Sequence, residues 1–254
     1  MSPFFDSASA NILAWSFHLF GVRMRVQLWF WIVALVLAGE RDPRDVLIWV
    51  AVCLVSLLIH EFGHVLAYRR LRIDSQVVIQ AWGGLTIPAR DVYGMRQQVL
   101  VAMAGPAAGF LMLGVVIALG TWLGLSLNVG WSVFLPVLFF APSSAGDSAV
   151  VHTSVAMNDL LYINLYWGLV NLLPIYPLDG GQAARAFFQQ REPYGGLKRS
   201  LIVSAVAGGA AALACVAIQN LYAVAFFGLL AGLSAMDAER TSGKRRPSGG
   251  GRWD

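Results

Sequence analysis

A short motif inside an apolar segment constrains this chain more than any other feature. His60, Glu61 and His64 form the pattern H-E-x-x-H within residues 46–68, a stretch that is otherwise almost free of charge. An ionisable residue at membrane depth costs roughly 2.5 to 3.5 kcal/mol on insertion scales and usually marks a functional site with a partner. The motif therefore predicts a membrane helix whose imidazoles and carboxylate share a partner, and we expect that partner to be a metal ion.

The composition supports a membrane location. Of the 254 residues, 57% are hydrophobic and 13% are charged, whereas about 25% of the residues in a soluble domain are charged. The net charge of +4 arises from short basic clusters between apolar blocks, which is typical of loops at a membrane surface. No nucleic-acid-binding motif accompanies these clusters, so we expect a lipid bilayer, and no nucleic acid, as a partner.

Six apolar segments approach the length of about 20 residues that a helix needs to cross a bilayer. We therefore expect an all-α polytopic membrane protein with about six transmembrane helices. A further apolar run at residues 131–141 is interrupted by Pro136, and we interpret it as re-entrant or interfacial. The six segments are residues 26–39, 46–67, 99–123, 159–173, 201–218 and 221–236.

The loop charges predict an orientation in the membrane. Basic residues are concentrated before the first segment and after the second, fourth and sixth, whereas residues 124–158 contain neither Lys nor Arg. By the positive-inside rule, the two termini and the loops after the second and fourth segments are expected to be cytoplasmic. The small architecture favours a multi-pass protein of a prokaryotic cell membrane.

The distribution of polar segments along the chain predicts its domain organisation. We expect one domain over residues 1–240, with a catalytic core at about residues 46–181. Residues 241–254 are rich in glycine, serine and basic residues and are expected to form a disordered tail. Residues 77–87 suggest a short cytoplasmic-side β-hairpin with a turn or bulge at its Gly-Gly pair.

The two histidines require a third metal ligand. On a helix, His60 and His64 face the same side and can bind one ion, with Glu61 beside them as a general base. Catalytic zinc generally takes three protein ligands and keeps a position open. Asp179 follows the fourth apolar segment, on the side of the membrane towards which both histidines lie, and nearby prolines and glycines can unwind the helix end there. We therefore predict Asp179 as the third ligand.

Taken together, the motifs resemble those of the site-2 proteases, a family of intramembrane zinc metalloproteases. H-E-F-G-H, a later Gly-Gly hairpin and the motif N-x-x-P-x-x-P-x-D-G-G occur here in that family's order. The resemblance implies one zinc ion bound by His60, His64 and Asp179, with Glu61 as the general base. It also implies that Asn171 helps to hold substrate or the developing oxyanion. The implied substrate is a transmembrane segment of another membrane protein, cut by regulated intramembrane proteolysis.

A substrate helix must unwind before cleavage, because its own hydrogen bonds shelter its peptide bonds. The edge of the predicted hairpin could pair with the unwound segment by strand addition. Gly83, Gly84 and Thr86 are therefore candidate substrate-binding residues, although a plain turn explains the Gly-Gly pair equally well. Asn171 could likewise do no more than satisfy a helix end.

One position departs from the family's pattern. The sequence after Ala104 resembles the family's A-G-P motif, but an Asn often found at its end is Gly109 here. Gly105 and Gly109 are four residues apart, and close helix packing is the favoured interpretation of this pair.

Two other functions stay open on the sequence alone. A divalent-metal transporter could line its permeation path with His60, Glu61, His64 and Asp179. A catalytically silent relative could bind and retain membrane clients, although such a protein has no need for Glu61.

Overall fold

The computed structural model describes residues 13–131, 136–141 and 148–243, which are mostly helical and include two small sheets. The sheets correct the expectation of an all-α fold with one hairpin. In chain order the elements are β1 (Ala14–Leu19), β2 (Val22–Gln27), α1 (Leu28–Ala38), α2 (Pro43–Arg70), β3 (Ser75–Gln80), β4 (Gly83–Pro88), α3 (Met95–Trp122), β5 (Ser126–Trp131), β6 (Pro136–Ala141), α4 (Ser148–Tyr162), a π-helical turn (Ile163–Trp167), α5 (Gly168–Asn171), α6 (Asp179–Arg191), α7 (Gly196–Ala217) and α8 (Leu221–Gly243).

The chain divides into two compact units. The first comprises Met1–Val92 and Ala104–Leu169, and the second comprises Tyr93–Met103 and Val170–Asp254. The first unit holds the four-stranded sheet, in the order β1-β2-β3-β4, and most of the helices before α5. The second holds α6, α7 and α8.

Helix α2 carries the H-E-x-x-H motif, and its ends follow from its sequence. Pro43 occupies the first turn, where its missing N–H costs no hydrogen bond. Arg69 and Arg70 lie in the last turn, where a positive charge interacts favourably with the helix dipole. The 28 residues of α2 give a length of roughly 42 Å, which exceeds the thickness of about 30 Å of a bilayer's hydrocarbon core.

The first apolar segment expected from the sequence begins too early, because residues 22–27 form strand β2. Val22, Met24 and Val26 are buried while Arg23 between them is exposed, which is the period of two of a strand. Strand β2 pairs antiparallel with β1 and parallel with β3. The buried face of the sheet packs against helices in one cluster, comprising Val22, Met24, Val26, Phe30, Ala34, Leu57, Val65, Val77 and Ile79.

The expected hairpin is present, but its turn lies elsewhere. Strands β3 and β4 pair antiparallel, and the residues between them are Ala81 and Trp82. Gly83 and Gly84 begin β4 rather than forming the turn, which corrects the prediction of a Gly-Gly turn. Gly83 adopts a φ of +121°, a conformation that residues with a side chain rarely take.

Four described helices are long and apolar enough to cross a membrane: α2, α3, α7 and the Leu221–Thr241 part of α8. The first expected span is shortened to α1, which has 11 residues. The fourth is a helix interrupted by the π-helical turn between α4 and α5. The expected total of about six spans, and the side of the membrane on which the hairpin lies, therefore stay predictions.

Two further expectations concern the apolar run at residues 131–141 and the tail at residues 241–254. The apolar run at residues 131–141 contributes to strands β5 and β6, which pair antiparallel, while residues 132–135 lie outside the described part of the chain. Helix α8 continues to Gly243. The rest of the expected tail, residues 244–254, also lies outside the described residues.

Two charged side chains near the start of α2, Arg41 and Asp45, are paired with residues of α4. The Arg41 guanidinium donates a hydrogen bond of 2.7 Å to the Asp159 carboxylate and lies 4.7 Å from the centre of the Trp49 ring. His152 Nδ1 lies 3.2 Å from Asp45 Oδ1. These contacts give Asp159 and His152 partners of their own.

Helices α2 and α3 approach closely at Gly63, and this contact yields a testable prediction. A β-carbon built at Gly63 would overlap the Ala104 carbonyl and lie 2.9 Å from the Ala108 β-carbon. We expect Gly63→Ala to destabilise the fold by about 1 to 3 kcal/mol, the usual cost of overpacking. Thermal unfolding in detergent, followed by circular dichroism, measures this effect.

Gly114→Ala is the matched control, because a β-carbon at this position of α3 meets no atom within 4 Å. Replacing a helical glycine by alanine in open space should stabilise the helix by about 0.5 to 1 kcal/mol. Equal changes in the two variants would contradict the close packing of the helices.

Candidate metal centre

Helix α2 brings two imidazoles together in a buried position. His60 and His64 lie one helical turn apart, and both are buried. Their Nε2 atoms lie 3.3 Å apart, and the two ring centres are 5.0 Å apart at an interplanar angle of 70°. The same nitrogen of each ring is thus directed to one point, as the spacing of the motif predicts.

Asp179 supplies the third donor of the group. One ligand atom from each of His60, His64 and Asp179 lies within 4.8 Å of the others, and all three residues are buried. Asp179 is the first residue of α6, whereas we expected it on the unwound end of the fourth apolar segment. A helix N-terminus favours a negative charge, so this position suits an ionised carboxylate better than an unwound helix end would.

The donor set fits a metal ion, and Gly105 leaves room for one. Two imidazole nitrogens and one carboxylate oxygen match the three-ligand sets of catalytic zinc. A β-carbon built at Gly105 would overlap His64 Nε2 and lie 2.6 Å from His60 Nε2. The space in front of both imidazoles therefore depends on the absence of a side chain at this position, so helix packing alone does not account for Gly105.

Glu61 lies against strand β4. Its side chain is 3% exposed, and the Thr86 hydroxyl donates a hydrogen bond of 2.6 Å to Glu61 Oε2. A β-carbon built at Gly84 would overlap the Glu61 carboxylate. The structure thus brings two of the three predicted substrate-binding residues to the predicted general base. The third predicted residue, Gly83, lies against the Trp167 ring: a β-carbon built at Gly83 would lie 2.8 Å from a carbon atom of that ring.

Asn171 is the last residue of α5 and is buried. Its predicted role in holding substrate or an oxyanion stays a prediction.

The sequence interpretation missed Asn164, which lies in the π-helical turn. This buried side chain donates hydrogen bonds of 3.0 Å to Ser56 Oγ and 2.8 Å to the Leu160 carbonyl. Ser56 lies one turn before His60 on α2. A β-carbon at Gly109, the position that departs from the family pattern, would lie 3.8 Å from the Asn164 side-chain oxygen. An amide within an apolar segment was the signal that could have identified this residue.

The space at Gly105 yields a second prediction. Gly105→Ala should reduce the zinc content of the purified protein by at least tenfold, because the new methyl group occupies the space beside both imidazole nitrogens. Gly109→Ala, one turn later on α3, should keep its zinc, because its β-carbon meets only ordinary contact distances. Metal content by atomic emission, with helicity as a check on folding, measures both effects. Full zinc occupancy in a folded Gly105→Ala variant would contradict the geometry.

Comparisons with known proteins agree with this arrangement. The sequence model of peptidase family M50 matches residues 48–215, which is more than half of the chain. The chain is 33% identical to Rip3 of Mycobacterium tuberculosis over 166 residues, covering 65% of this chain and 36% of Rip3. It is 22% identical to the zinc metalloprotease MJ0392 of Methanocaldococcus jannaschii over 192 residues, covering 74% of this chain and 48% of that protein. The chain thus spans about a third to a half of the length of these relatives.

A solved structure supports the fold. The site-2 protease from Methanocaldococcus jannaschii superposes with a TM-score of 0.55 at 19% sequence identity, covering 95% of this chain and 100% of that one. At this identity the similarity shows a shared fold. The family model, matched across both the H-E-x-x-H helix and Asp179, shows that the chain belongs to peptidase family M50.

Proposed function

We propose that this protein is an intramembrane zinc endopeptidase, which hydrolyses peptide bonds within or near transmembrane segments of other membrane proteins. One observation carries the proposal. His60, His64 and Asp179 are buried donors able to hold one metal ion, and both histidines lie with the buried Glu61 on α2, an apolar helix long enough to cross a membrane. Membership of family M50 and the relative named as a zinc metalloprotease support the same chemistry.

In this proposal, each side chain of the centre has a defined task. His60, His64 and Asp179 hold the zinc ion. Zinc, when bound, supplies Lewis-acid polarisation of a carbonyl and makes water more acidic. Glu61 accepts a proton from the attacking water and returns it to the leaving amine. Asn171 holds the substrate or the developing oxyanion.

The substrate binds as an added strand on β4, and the register of the hairpin supports this. The Ala89 N–H donates a hydrogen bond of 2.8 Å to the Asp74 carbonyl, so this is a hydrogen-bonded pair of the antiparallel ladder. Since such pairs alternate with non-hydrogen-bonded ones, Thr86 opposite Val77 and Gly84 opposite Ile79 belong to the second kind.

In non-hydrogen-bonded pairs, the backbone N–H and C=O groups point away from the neighbouring strand. Strand β4 is an outer strand of its sheet, with β3 as its neighbour among the described residues. The outward backbone groups of Gly84 and Thr86 are therefore available to an unwound substrate segment. The Thr86 hydroxyl and the α-carbon of Gly84 meanwhile lie against the Glu61 side chain. A peptide paired there lies beside the general base.

The membrane arrangement in this proposal has about six spans, with both termini and the hairpin on the cytoplasmic side of a prokaryotic cell membrane. The four long apolar helices and the interrupted α4–α5 helix support it, together with the basic loops. Residues 1–240 act as one functional domain, because the family match extends through both compact units.

The general base gives a direct test. Glu61→Gln should lower the rate of substrate cleavage by about 10² to 10⁴-fold, the usual contribution of a general base, while zinc content stays unchanged. Quantitative proteomics of membrane-protein fragments identifies the substrates, and a purified reporter substrate gives the rate. Glu239→Gln, on the exposed surface of α8, is the control. A Glu61→Gln variant that cleaves at the normal rate would refute the role of Glu61 as the general base. Wild-type protein that cleaves no substrate, with a metal flux that Glu61→Gln alters, would refute the endopeptidase and indicate a transporter.

Substitutions of Thr86 separate its hydroxyl from its backbone. Thr86→Val removes the hydrogen bond to Glu61 and should lower kcat by about tenfold or more, because hydrogen bonds to charged groups contribute about 1.5 to 3 kcal/mol. Thr86→Ser keeps the hydroxyl and should retain most of kcat.

Thr86→Pro also removes the outward N–H and should raise KM above the value of the valine variant, since proline cannot donate to a strand ladder. All three variants should keep their zinc. If the proline and valine variants show the same KM, the substrate does not bind by strand addition at this edge.

A further inference from the structure

We propose that Ser204 and Ser234 are positioning residues for the Asp179 carboxylate, and that α7 and α8 thereby set the metal affinity of the centre. The inference rests on the proposed metal site and adds a role for two helices that carry none of its ligands. It concerns the loop at residues 172–178, which ends α5 and leads directly into Asp179.

Apolar side chains attach this loop to α8. Ile175 is fully buried and Leu178, immediately before Asp179, is almost fully buried. They form one cluster with Phe226, Phe227 and Leu230 of α8. Helices α7 and α8 in turn pack closely, since a β-carbon at Gly208 would lie 3.1 Å from the Ala231 β-carbon. The platform under the loop is therefore a tightly packed helix pair.

One polar link fixes the loop on this platform. The Tyr176 N–H donates a hydrogen bond of 2.7 Å to Ser204 Oγ, and Ser204 Oγ lies 2.8 Å from Ser234 Oγ. The two serines are 1% and 2% exposed, so no solvent replaces a lost partner. A serine hydroxyl offers one donor and two acceptor sites, which lets Ser204 accept from Tyr176 while it bonds to Ser234.

A movement of the loop moves Asp179 as well, because hydrogen bonds and close backbone contacts hold the loop against the first turn of α6. Leu178 N–H donates to the Ile175 carbonyl at 2.8 Å, and Gln182 N–H donates to the Leu178 carbonyl at 2.9 Å. β-Carbons built at Gly180 and Gly181 would overlap the backbone of the loop. A shift of the loop at Tyr176 therefore displaces the carboxylate three residues later.

Ser204 differs in its bonding from a serine that serves only its own helix. Ser200, one turn earlier on α7, is also buried and donates to the Leu197 carbonyl of the same helix. A hydroxyl in an apolar helix commonly forms this kind of local bond. Ser204 is bonded instead to a loop backbone and to a neighbouring helix. Ser200 is consequently the matched control for Ser204.

The test uses the purified full chain, loaded with zinc alone, and titrates it with EDTA. Ser204→Ala should release zinc at a free EDTA concentration about tenfold lower than the wild type requires. A tenfold loss of affinity is the lower end of the range for residues that hold metal ligands in place. Ser234→Ala should shift release in the same direction but less, because Ser204 still accepts from Tyr176. Ser200→Ala should release zinc as the wild type does.

A second measurement separates positioning from general stability. With cobalt(II) in place of zinc, the visible absorption spectrum reports the ligand geometry. The spectrum should change in Ser204→Ala and stay unchanged in Ser200→Ala, even where both variants lose thermal stability. If Ser204→Ala does not fold, Ser234→Ala alone carries both measurements.

The outcomes distinguish the two proposals. Wild-type protein that binds no zinc would overturn the metal site and with it the proposed function. Wild-type protein that binds zinc while the serine variants match it in affinity and cobalt spectrum would overturn the positioning role and leave the metal site standing. An equal loss of affinity in Ser200→Ala would show a general effect of α7 and would also overturn that role.

Discussion

The burial of ionisable side chains in an apolar helix bundle is the constraint on which the rest of this structure depends. His60, His64, Glu61 and Asp179 are all buried, and a buried charge is stable only when it is paired or coordinates a metal. His60, His64 and Asp179 lie close enough together to hold one metal ion, and Glu61 accepts a hydrogen bond from Thr86. A helix that would otherwise be an ordinary membrane span thus becomes the centre of a site.

Glycine makes these close contacts possible. At Gly105 the absence of a side chain leaves the two imidazole nitrogens accessible, and at Gly84 it lets strand β4 lie on the Glu61 carboxylate. Gly63, within the motif itself, lets α2 and α3 touch through their backbones. The same property, a missing β-carbon, therefore serves the space beside the two imidazoles, the contact of β4 with Glu61 and the packing of α2.

The position of Asp179 depends on the loop that precedes it, because Asp179 is the first residue of α6. Asp179 begins α6, where the helix dipole favours its negative charge, and the preceding loop is attached to α7 and α8 by Ile175, Leu178 and the serine pair. A residue at the start of a helix depends on the preceding loop for its position, because loops are more mobile than the elements they connect. In the proposed positioning role of Ser204 and Ser234, α7 and α8 act on the metal centre through this loop although they carry none of its ligands.

The sequence by itself predicted the three candidate ligands, the candidate general base and the apolar character of the helix that carries the motif, because the H-E-x-x-H spacing and the cost of buried charge are local properties. The structure brings His60, His64 and Asp179 together, while the role of Glu61 stays a prediction. It also located the hairpin, though not its turn. Strands β1 and β2 were not predicted, since the period of two in residues 22–26 merges into the apolar run of α1.

Only the tertiary structure decided which residues surround the centre. The contacts of Gly105 with both imidazoles, of Thr86 with Glu61 and of Ser204 with Tyr176 join residues at least 25 positions apart in the chain. Such contacts depend on how helices and strands pack against each other, and no periodicity or local motif encodes the partner of a small side chain across that distance.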